Sequence, residues 1–165
     1  ATALLLLAGF PEPAVPIVKS VRHDQRLAEI MIGAPAGQPE FAGWLRLLGD
    51  DSAAIPFLRY LPERLSPLGV RVETALRERL AEAPSFVAFE GYDTVAVLAS
   101  LLRSVGPDRA RIARSWPRVA VEGTRGQIQF SRTPGISVWQ WAWTPTQVAD
   151  RDPAKPDRFR VLHAA

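Results

Sequence analysis

The chain contains no cysteine among its 165 residues. Disulfide bonds, thiolate nucleophiles, iron–sulfur clusters and cysteine-based zinc sites are therefore excluded. Lysine is almost as scarce, because Lys19 and Lys155 are the only two and arginine supplies the other basic side chains. The net charge of +3 is spread along the chain without a long basic run, so the sequence gives no nucleic-acid footprint.

The sequence also lacks an apolar segment long enough to span a bilayer. The opening run, residues 3–10, has no basic lead-in, and a proline-rich stretch at residues 11–16 follows at once. We interpret it as neither a signal peptide nor a membrane helix. A chain that opens on an apolar run of this kind is expected to be part of a longer protein.

Hydrophobic residues make up 47% of the chain and the mean hydropathy is zero, as in a globular protein with a buried core. Residues 4–7 are all leucine and end at Gly9, which predicts a strand covered on both faces. Prolines suit the first turn of the helix expected next, to about His23. Residues 30–32, ended by Gly33, predict a second strand and complete a βαβ unit.

The next elements continue this alternation. Residues 39–48 carry apolar side chains at helical spacing, and residues 54–60 predict a third strand closed by Pro62. Three strands alternating with two helices predict an α/β fold with an open parallel sheet and flanking helices.

The middle of the chain is predicted to be helical. Two helices within residues 68–105, separated by Pro84, are indicated by two apolar stripes. The stripes are Val72, Leu76 and Leu80, then Phe86, Phe89, Val95, Leu98 and Leu102. Asp108 is expected to cap a third, shorter helix.

The remaining segment is predicted to form strands at residues 123–130, 138–148 and 159–162. Its polar, proline-bearing stretch 150–157 is typical of a solvent loop. Trp139, Trp141 and Trp143 alternate and so share one face of a strand. This stripe either packs against a helix layer or forms a docking surface.

Several local motifs, taken in order, resemble the type I periplasmic binding proteins, the group that includes the leucine/isoleucine/valine-binding proteins of ABC transporters. The resemblance covers nearly the whole chain, and no single motif is specific. The motifs are Leu4-Leu5-Leu6-Leu7-Ala8-Gly9-Phe10, Ile32-Gly33, Pro84-Ser85-Phe86-Val87-Ala88 with Glu90-Gly91-Tyr92-Asp93, and Gly123-Thr124-Arg125-Gly126-Gln127-Ile128-Gln129-Phe130. They resemble, in turn, two strand ends at the ligand cleft, a helix entry with its Tyr-Asp motif, and a glycine-bounded strand.

The resemblance implies two α/β lobes joined by crossover strands, with the ligand between them. Residues 1–62 and 136–165 would form the second lobe, and residues 63–135 the remainder of the first. The chain would then be the carboxy-terminal portion of the fold. The upstream part of the first lobe, which supplies hydroxyl and backbone groups to the ligand carboxylate in this family, would be absent from it.

Ligands of open α/β sheets lie at the carboxyl ends of the strands, which places Gly9, Phe10, Glu12, Pro35 and Tyr60 near the expected cleft. Phe10 is the first candidate, either as an aromatic wall against the ligand side chain or as a strand-end aromatic in the core. Glu12 either pairs with a ligand ammonium or is a helix N-terminal acid favoured by the macrodipole.

The resemblance adds Tyr92 as a sixth candidate, with helix packing as its alternative role. It also implies that the loop after the second strand carries a carboxylate for the ligand ammonium. This sequence instead has Ala34, Pro35 and Ala36 there. An aromatic or aliphatic acid without an amine therefore fits as well as an amino acid.

The function implied by the resemblance is that of an extracytoplasmic solute-binding component of an ABC importer, not an enzyme. It would lie in the periplasm or outside the cell, with a membrane-anchored lipoprotein allowed. Its partners would be a small amino acid or organic acid and an ABC permease, without nucleic acid, cofactor or metal. An exposed half-interface would favour a homodimer of the chain.

Two other functions compete with transport. The same fold serves as a ligand-sensing receptor or regulator, and the sequence does not separate the two. A doubly wound enzyme is the third interpretation, since fold does not fix function. Against an enzyme, the sequence has no glycine-rich phosphate loop, nucleophile elbow or metal-ligand cluster.

Overall fold

The computed structural model describes residues 3–9, 11–81 and 83–164. The chain divides into two compact units. Unit 1 combines Ala1–Tyr60 with Thr146–Ala165, and unit 2 is the continuous stretch Leu61–Pro145. Residues 136–145, which the sequence analysis assigned to the second lobe, group with unit 2. The correspondence between these units and the two lobes stays a prediction.

Helices and strands alternate in the first part of the chain, and strands dominate the last. In chain order the elements are β1 (Ala3–Leu6), α1 (Pro11–His23), β2 (Ile30–Gly33), α2 (Ala42–Leu48), β3 (Phe57–Arg59), α3 (Pro67–Arg77), α4 (Phe86–Val105), α5 (Arg109–Ser115), β4 (Ala120–Gly123), β5 (Gly126–Ser131), β6 (Gln140–Trp141), β7 (Gln147–Asp152) and β8 (Lys155–Ala164). Short 3₁₀ turns lie at Gln25–Leu27, Gln38–Glu40, Gly49–Ser52 and Trp116–Arg118.

Unit 1 has a two-stranded parallel sheet, β1–β2, and a three-stranded antiparallel sheet, β3–β7–β8. β1 and β2 are parallel, with Leu6 opposite Gly33, and a parallel bridge between Ala34 and Phe57 leads on to β3. β3 then pairs with β7, and β7 with β8, both antiparallel. The prediction of an open parallel sheet is therefore wrong, although the mixed α/β class and the βαβ unit are present. The reason is that β7 returns from the end of the chain as one arm of a hairpin.

The core of unit 1 lies between the β1–β2 pair and the helices α1 and α2. Residues at helical spacing on α1, including Val18 and Val21, pack with Ile32 of β2 and Trp44 of α2. The other face of the strand pair is uncovered, since Leu4, Leu6 and Met31 are exposed.

The buried face of α4 in unit 2 is not the one that the apolar stripe predicts. Phe89 is buried as predicted, but Val95, Leu98 and Leu102 are exposed. The buried positions follow one another at every fourth residue: Phe89, Asp93, Val97 and Leu101. α4 is apolar on most of its surface, so periodicity alone cannot select the inner face.

Asp93 selects that inner face because its carboxylate is buried with partners. It accepts hydrogen bonds from the backbone N–H of Thr124 at 2.7 Å and from the Thr124 hydroxyl at 2.9 Å. The Nε of Arg125 lies 3.4 Å from the same carboxylate. A buried charge is tolerated when it is paired and hydrogen-bonded in this way.

Thr124 and Arg125 form a buried turn, so the strand predicted over residues 123–130 begins only at Gly126 and continues to Ser131. The chain instead makes a hairpin, with β4 and β5 antiparallel and Gly123 opposite Gly126. The guanidinium of Arg125 also lies 4.9 Å from the ring centroid of Trp141 and 3.2 Å from Glu90. Arginine is rarely buried without such partners, so the sequence alone does not predict a buried turn at Arg125.

The carboxy-terminal segment departs from prediction in two places. The stretch 150–157 is not a solvent loop, because Asp150 and Arg151 are buried within β7. Only Trp141 of the tryptophan stripe packs against a core cluster, that of Val97 and Leu101. Trp143 is 81% exposed, so the stripe does not act as one packed face.

The start of α3 is held against the β4–β5 turn at very short range. Ser66 caps the helix by accepting a hydrogen bond from the Gly69 N–H at 3.0 Å, and its hydroxyl donates to the Gly123 carbonyl at 2.7 Å. The backbone N–H of Ser66 donates to the Thr124 carbonyl. That carbonyl would lie 2.0 Å from a Cβ placed on Gly69, so only glycine fits there.

Gly69→Ala is expected to destabilise the protein by about 1–3 kcal/mol, because the new methyl group overlaps backbone atoms. Gly91→Ala is the matched control, since a Cβ there meets nothing within 4 Å, and alanine favours a helix interior by about 1 kcal/mol. Thermal unfolding of both variants, followed by circular dichroism, compares them. A Gly69→Ala protein that melts at or above the wild-type temperature would contradict the close approach.

Candidate ligand-binding site

The carboxyl ends of the first three strands meet at one edge of unit 1. The backbone N–H of Leu7 donates to the Gly33 carbonyl at 2.8 Å, which continues the parallel β1–β2 pairing beyond β1. Ala34 likewise pairs with Phe57 on β3. The residues that follow these strands, including Gly9, Pro35 and Tyr60, therefore lie at the same edge. This edge is where open α/β sheets bind ligands.

Gly9 makes the turn from β1 into α1. Its φ of +112° is a conformation that residues with a side chain rarely adopt, and Gly9 is exposed. Phe10, the first candidate of the sequence analysis, lies outside the described residues. Its role as an aromatic wall stays a prediction.

The N-terminus of α1 combines two prolines with an exposed carboxylate. Pro11 and Pro13 have no N–H, which removes donors that a helix N-terminus normally offers to anions. Glu12 lies in the same first turn and is exposed, with no hydrogen bond or ion pair to the described residues. The Glu12 carboxylate is therefore available either to the positive end of the helix macrodipole or to a cationic group.

The other predicted site residues differ in placement. Pro35 is exposed directly after β2, and Tyr60 is half-buried directly after β3. Tyr92 belongs to unit 2, where it is exposed on α4 beside the buried Asp93. The structure thus brings four of the predicted residues to one edge of unit 1 and places Tyr92 in the other unit.

A carboxylate does follow β2, but it lies farther along the chain than the loop of residues 34–36. Glu40 lies in the 3₁₀ turn Gln38–Glu40, its side chain is only 5% exposed, and its Oε1 is 3.5 Å from the Nε of Arg59. Arg59 ends β3 and immediately precedes Tyr60. The Glu40–Arg59 ion pair therefore joins the segment after β2 to the end of β3.

The aromatic ring of Phe159 on β8 contacts the arginine of this ion pair. The Phe159 ring meets the Phe57 ring edge-on, with centroids 5.4 Å apart. The guanidinium groups of Arg59 and Arg151 lie 5.3 and 5.0 Å from the Phe159 centroid. Such cation–π contacts hold both arginines on the ring. We call these five residues, Glu40, Phe57, Arg59, Arg151 and Phe159, the arginine–phenylalanine cluster.

Arg151 connects β7 to the turn that carries Glu40. Its Nη2 donates to the Pro39 carbonyl at 2.8 Å, and its Nη1 donates to the Pro156 carbonyl. Burial lowers the pKa of the Arg151 guanidinium from its usual value, and the negative charges of Asp150 and Asp157 act in the opposite direction. The cluster therefore holds in place the turn that follows Pro35 and the end of β3 that precedes Tyr60.

Sequence reasoning missed this cluster because its members lie far apart in the chain. Arg59 offered the one local signal, since it is a charged residue within an otherwise apolar predicted strand. Among the described residues, no group of three or more His, Cys, Asp and Glu side chains could hold a metal ion. In the same part of the chain, no helix has the length and apolar character needed to cross a membrane.

No family model matches the chain, and no curated protein matches it. Solved structures do match. A leucine-binding protein from Thermotoga maritima is 17% identical, with a TM-score of 0.74 over 98% of this chain and 44% of that one. The chain has part of the fold of a type I periplasmic binding protein.

Two further structures extend this likeness. The branched-chain amino acid transporter substrate-binding protein of Streptococcus pneumoniae, in complex with isoleucine, is 17% identical with a TM-score of 0.69, covering 97% of this chain and 44% of that one. An extracellular ligand-binding receptor from Desulfohalobium retbaense is 16% identical with a TM-score of 0.69, over 96% and 26%. The chain thus spans less than half the length of the structures it matches.

The family resemblance inferred from sequence is confirmed at the level of fold. These neighbours are described as binding proteins or receptors, at low sequence identity.

Arg151→Lys is expected to lower the stability of the protein by about 2 kcal/mol, because a lysine cannot bridge two carbonyls and cover the Phe159 ring together. The melting temperature should fall by roughly 4–8 °C. The control is Arg158→Lys, an exposed position on β8, expected to change stability by less than about 0.5 kcal/mol. Equal melting temperatures for the two variants would show that the cluster does not anchor β7.

Proposed function

We propose that this chain is part of an extracytoplasmic solute-binding component of an ABC importer, which binds a small amino-acid-like or carboxylate ligand between two lobes. The observation that carries the proposal is the match of 98% of the chain to a leucine-binding protein, at a TM-score of 0.74. The convergence of Gly9, Glu12, Pro35 and Tyr60 at the strand-end edge supports it. Residues 1–62 and 136–165 would belong to the second lobe, and residues 63–135 to the first.

The proposed ligand contacts are the six residues predicted from sequence. Phe10, Gly9, Pro35 and Tyr60 would line the ligand side chain from the strand ends, and Tyr92 would be a further contact. Glu12 would pair with a ligand ammonium, since the first turn of α1 offers a free carboxylate and few N–H donors. This electrostatic character supports an amino acid over an organic acid without an amine.

The partners that follow are a small-molecule ligand and an ABC permease, in the periplasm or at the outer face of the cell membrane. Its structural neighbours include a leucine-binding protein and a substrate-binding protein, which supports action by binding and not as an enzyme. Closure of two lobes on the ligand would create the surface that the permease recognises.

A sensing role is the alternative, supported by the likeness to an extracellular ligand-binding receptor. Both roles use the same cleft and differ in the partner that recognises the ligand-bound form. Capture of an ABC permease from membranes by the ligand-bound protein supports transport. Capture of a membrane kinase or another signalling protein in its place supports sensing.

Ligand binding should raise the melting temperature of the full protein, because the ligand binds only the folded state. At a ligand concentration 100 times the Kd the gain is about 2.7 kcal/mol, or roughly 5–10 °C. A thermal-shift series with leucine, isoleucine, phenylalanine and their deaminated acids measures it. If neither class shifts the melting temperature and a nucleotide does, the solute-binding proposal is wrong.

Glu12→Gln separates recognition of the ammonium from recognition of the rest of the ligand. Loss of a charged hydrogen bond should weaken binding of the amino acid by roughly 10–100-fold. Binding of the matching deaminated acid should not change. Glu29→Gln is the control, as this acid is also exposed in unit 1. Calorimetric titration of both variants tests the role, and equal affinities for the amino acid would remove Glu12 from the site.

A further inference from the structure

The positive charge of this protein is concentrated in one short segment. Residues 103–118, which we call the basic segment, hold five arginines and a single acidic residue, Asp108, for a net charge of +4. The whole chain carries +3, so all its other residues together sum to −1. The even spread of charge inferred from the sequence is therefore wrong in this region. The arginines are Arg103, Arg109, Arg111, Arg114 and Arg118.

The structure leaves these arginines facing solvent. Arg103 lies in the last turn of α4, three others lie on α5, and Arg118 ends the 3₁₀ turn Trp116–Arg118. All five are exposed. Their guanidinium groups make no hydrogen bond or ion pair with the described residues. The protein itself therefore does not neutralise this charge.

The rest of the segment is used to attach it to unit 2. Ile112 and Trp116 pack against the core cluster of Val97, Leu101, Val119 and Ile128, and the Trp116 ring meets the Phe130 ring at 4.8 Å. The Asp108 carboxylate caps α5, where Oδ1 accepts a hydrogen bond from the Arg111 N–H at 2.8 Å. The attached side is apolar, and the free side is basic.

These positions have opposite effects on the stability of the helices. Arg109 occupies the first position of α5, where the macrodipole disfavours a cation. Arg111 and Arg114 are three residues apart on the helix, a spacing at which like charges repel. Arg103 and Arg114, in contrast, lie in the last turns of α4 and α5, where the macrodipole favours a cation. None of the five guanidinium groups has a partner among the described residues, so an external anion can bind them.

The kind of anion follows from what surrounds the arginines. A single-stranded nucleic acid would need exposed aromatic rings for base stacking, but the aromatic residue of the segment, Trp116, is packed on Phe130. A planar array of phosphates needs only accessible guanidinium groups, which bind phosphate in a bidentate manner. Exposed apolar residues beside the arginines also favour a lipid surface, and Leu102 of α4, which directly precedes Arg103, is exposed.

We propose that the basic segment is a docking surface for the anionic headgroups of a phospholipid membrane. The contact would be weak, reversible and sensitive to salt, because it consists of exposed charges. It would hold the protein close to a membrane without inserting a helix. The proposal does not rest on the identity of the ligand or on the strand-end edge of unit 1.

The experiment is cosedimentation of the full protein, free of any lipid modification, with two kinds of vesicle. One contains phosphatidylcholine alone, and the other also contains phosphatidylglycerol. The protein should bind the anionic vesicles only, and binding should weaken as the salt concentration rises from about 0.05 to about 0.5 M. Equal binding to both vesicles, or none to either, would overturn the proposal.

A triple variant, Arg109→Gln, Arg111→Gln and Arg114→Gln, tests the segment itself. Each arginine near an anionic surface contributes about fivefold, so the variant should bind roughly a hundredfold more weakly. Its circular dichroism spectrum should match that of the wild type, since these exposed side chains make no hydrogen bond or ion pair with the described residues.

The matched control removes the same number of charges elsewhere, through Arg71→Gln, Arg79→Gln and Arg158→Gln, all exposed. The control should retain most of the binding. An equal loss in both triple variants would mean that net charge alone drives binding, which contradicts a docking surface. Binding to poly-glutamate but not to anionic vesicles would replace the membrane with an acidic protein.

Discussion

A charged group that leaves water must find its partners inside the protein, and this constraint organises both units. In unit 2, Asp93 is 4% exposed and joins the middle of α4 to the turn between β4 and β5. In unit 1, Arg151 is 5% exposed and joins β7 to the turn after β2. Loss of one partner of a buried charge is far more damaging than loss of a surface pair. These two residues therefore fix which surfaces of the neighbouring elements face inward.

The candidate site inherits its geometry from this arrangement. The strands that precede Pro35 and Tyr60 are short, and β3 pairs with β7 over only three residues. Ladder hydrogen bonds alone would hold such a strand end weakly. The arginine–phenylalanine cluster supplies the missing rigidity, because Arg59 and Arg151 share one aromatic ring and so couple β3 to β7. A binding edge built on strand ends needs support of this kind behind it.

Much of the fold follows from local sequence, and the failures have a common cause. The leucine run, the prolines at the start of α1 and the Asp108 cap each act within a few residues, so β1, α1 and α5 were predictable. The buried face of α4 was not, because an aspartate on that face looks like a solvent position until Thr124 is known to lie opposite it. Asp150 and Arg151 look like solvent positions for the same reason.

The site was predictable only in part, for a related reason. Topology alone places Gly9, Pro35 and Tyr60 at one edge, since parallel strands end together. The support behind that edge joins residue 40 to residues 59, 151 and 159, and no local pattern encodes a contact between positions so distant. The alanine-rich loop after β2 contains no carboxylate, although Glu40 lies only a few residues farther on.

Unit 1 is assembled from both ends of the chain, and this has a consequence for biosynthesis. β3 pairs Phe57 with Ala149, so it leaves the ribosome well before its antiparallel partner exists. The intervening stretch Leu61–Pro145 is continuous and can fold as it emerges. At 5–20 residues per second, β3 waits for roughly 5–18 s with one edge unpaired. An unpaired strand edge invites wrong pairing, so a chaperone that covers nascent chains is expected to matter most during that interval.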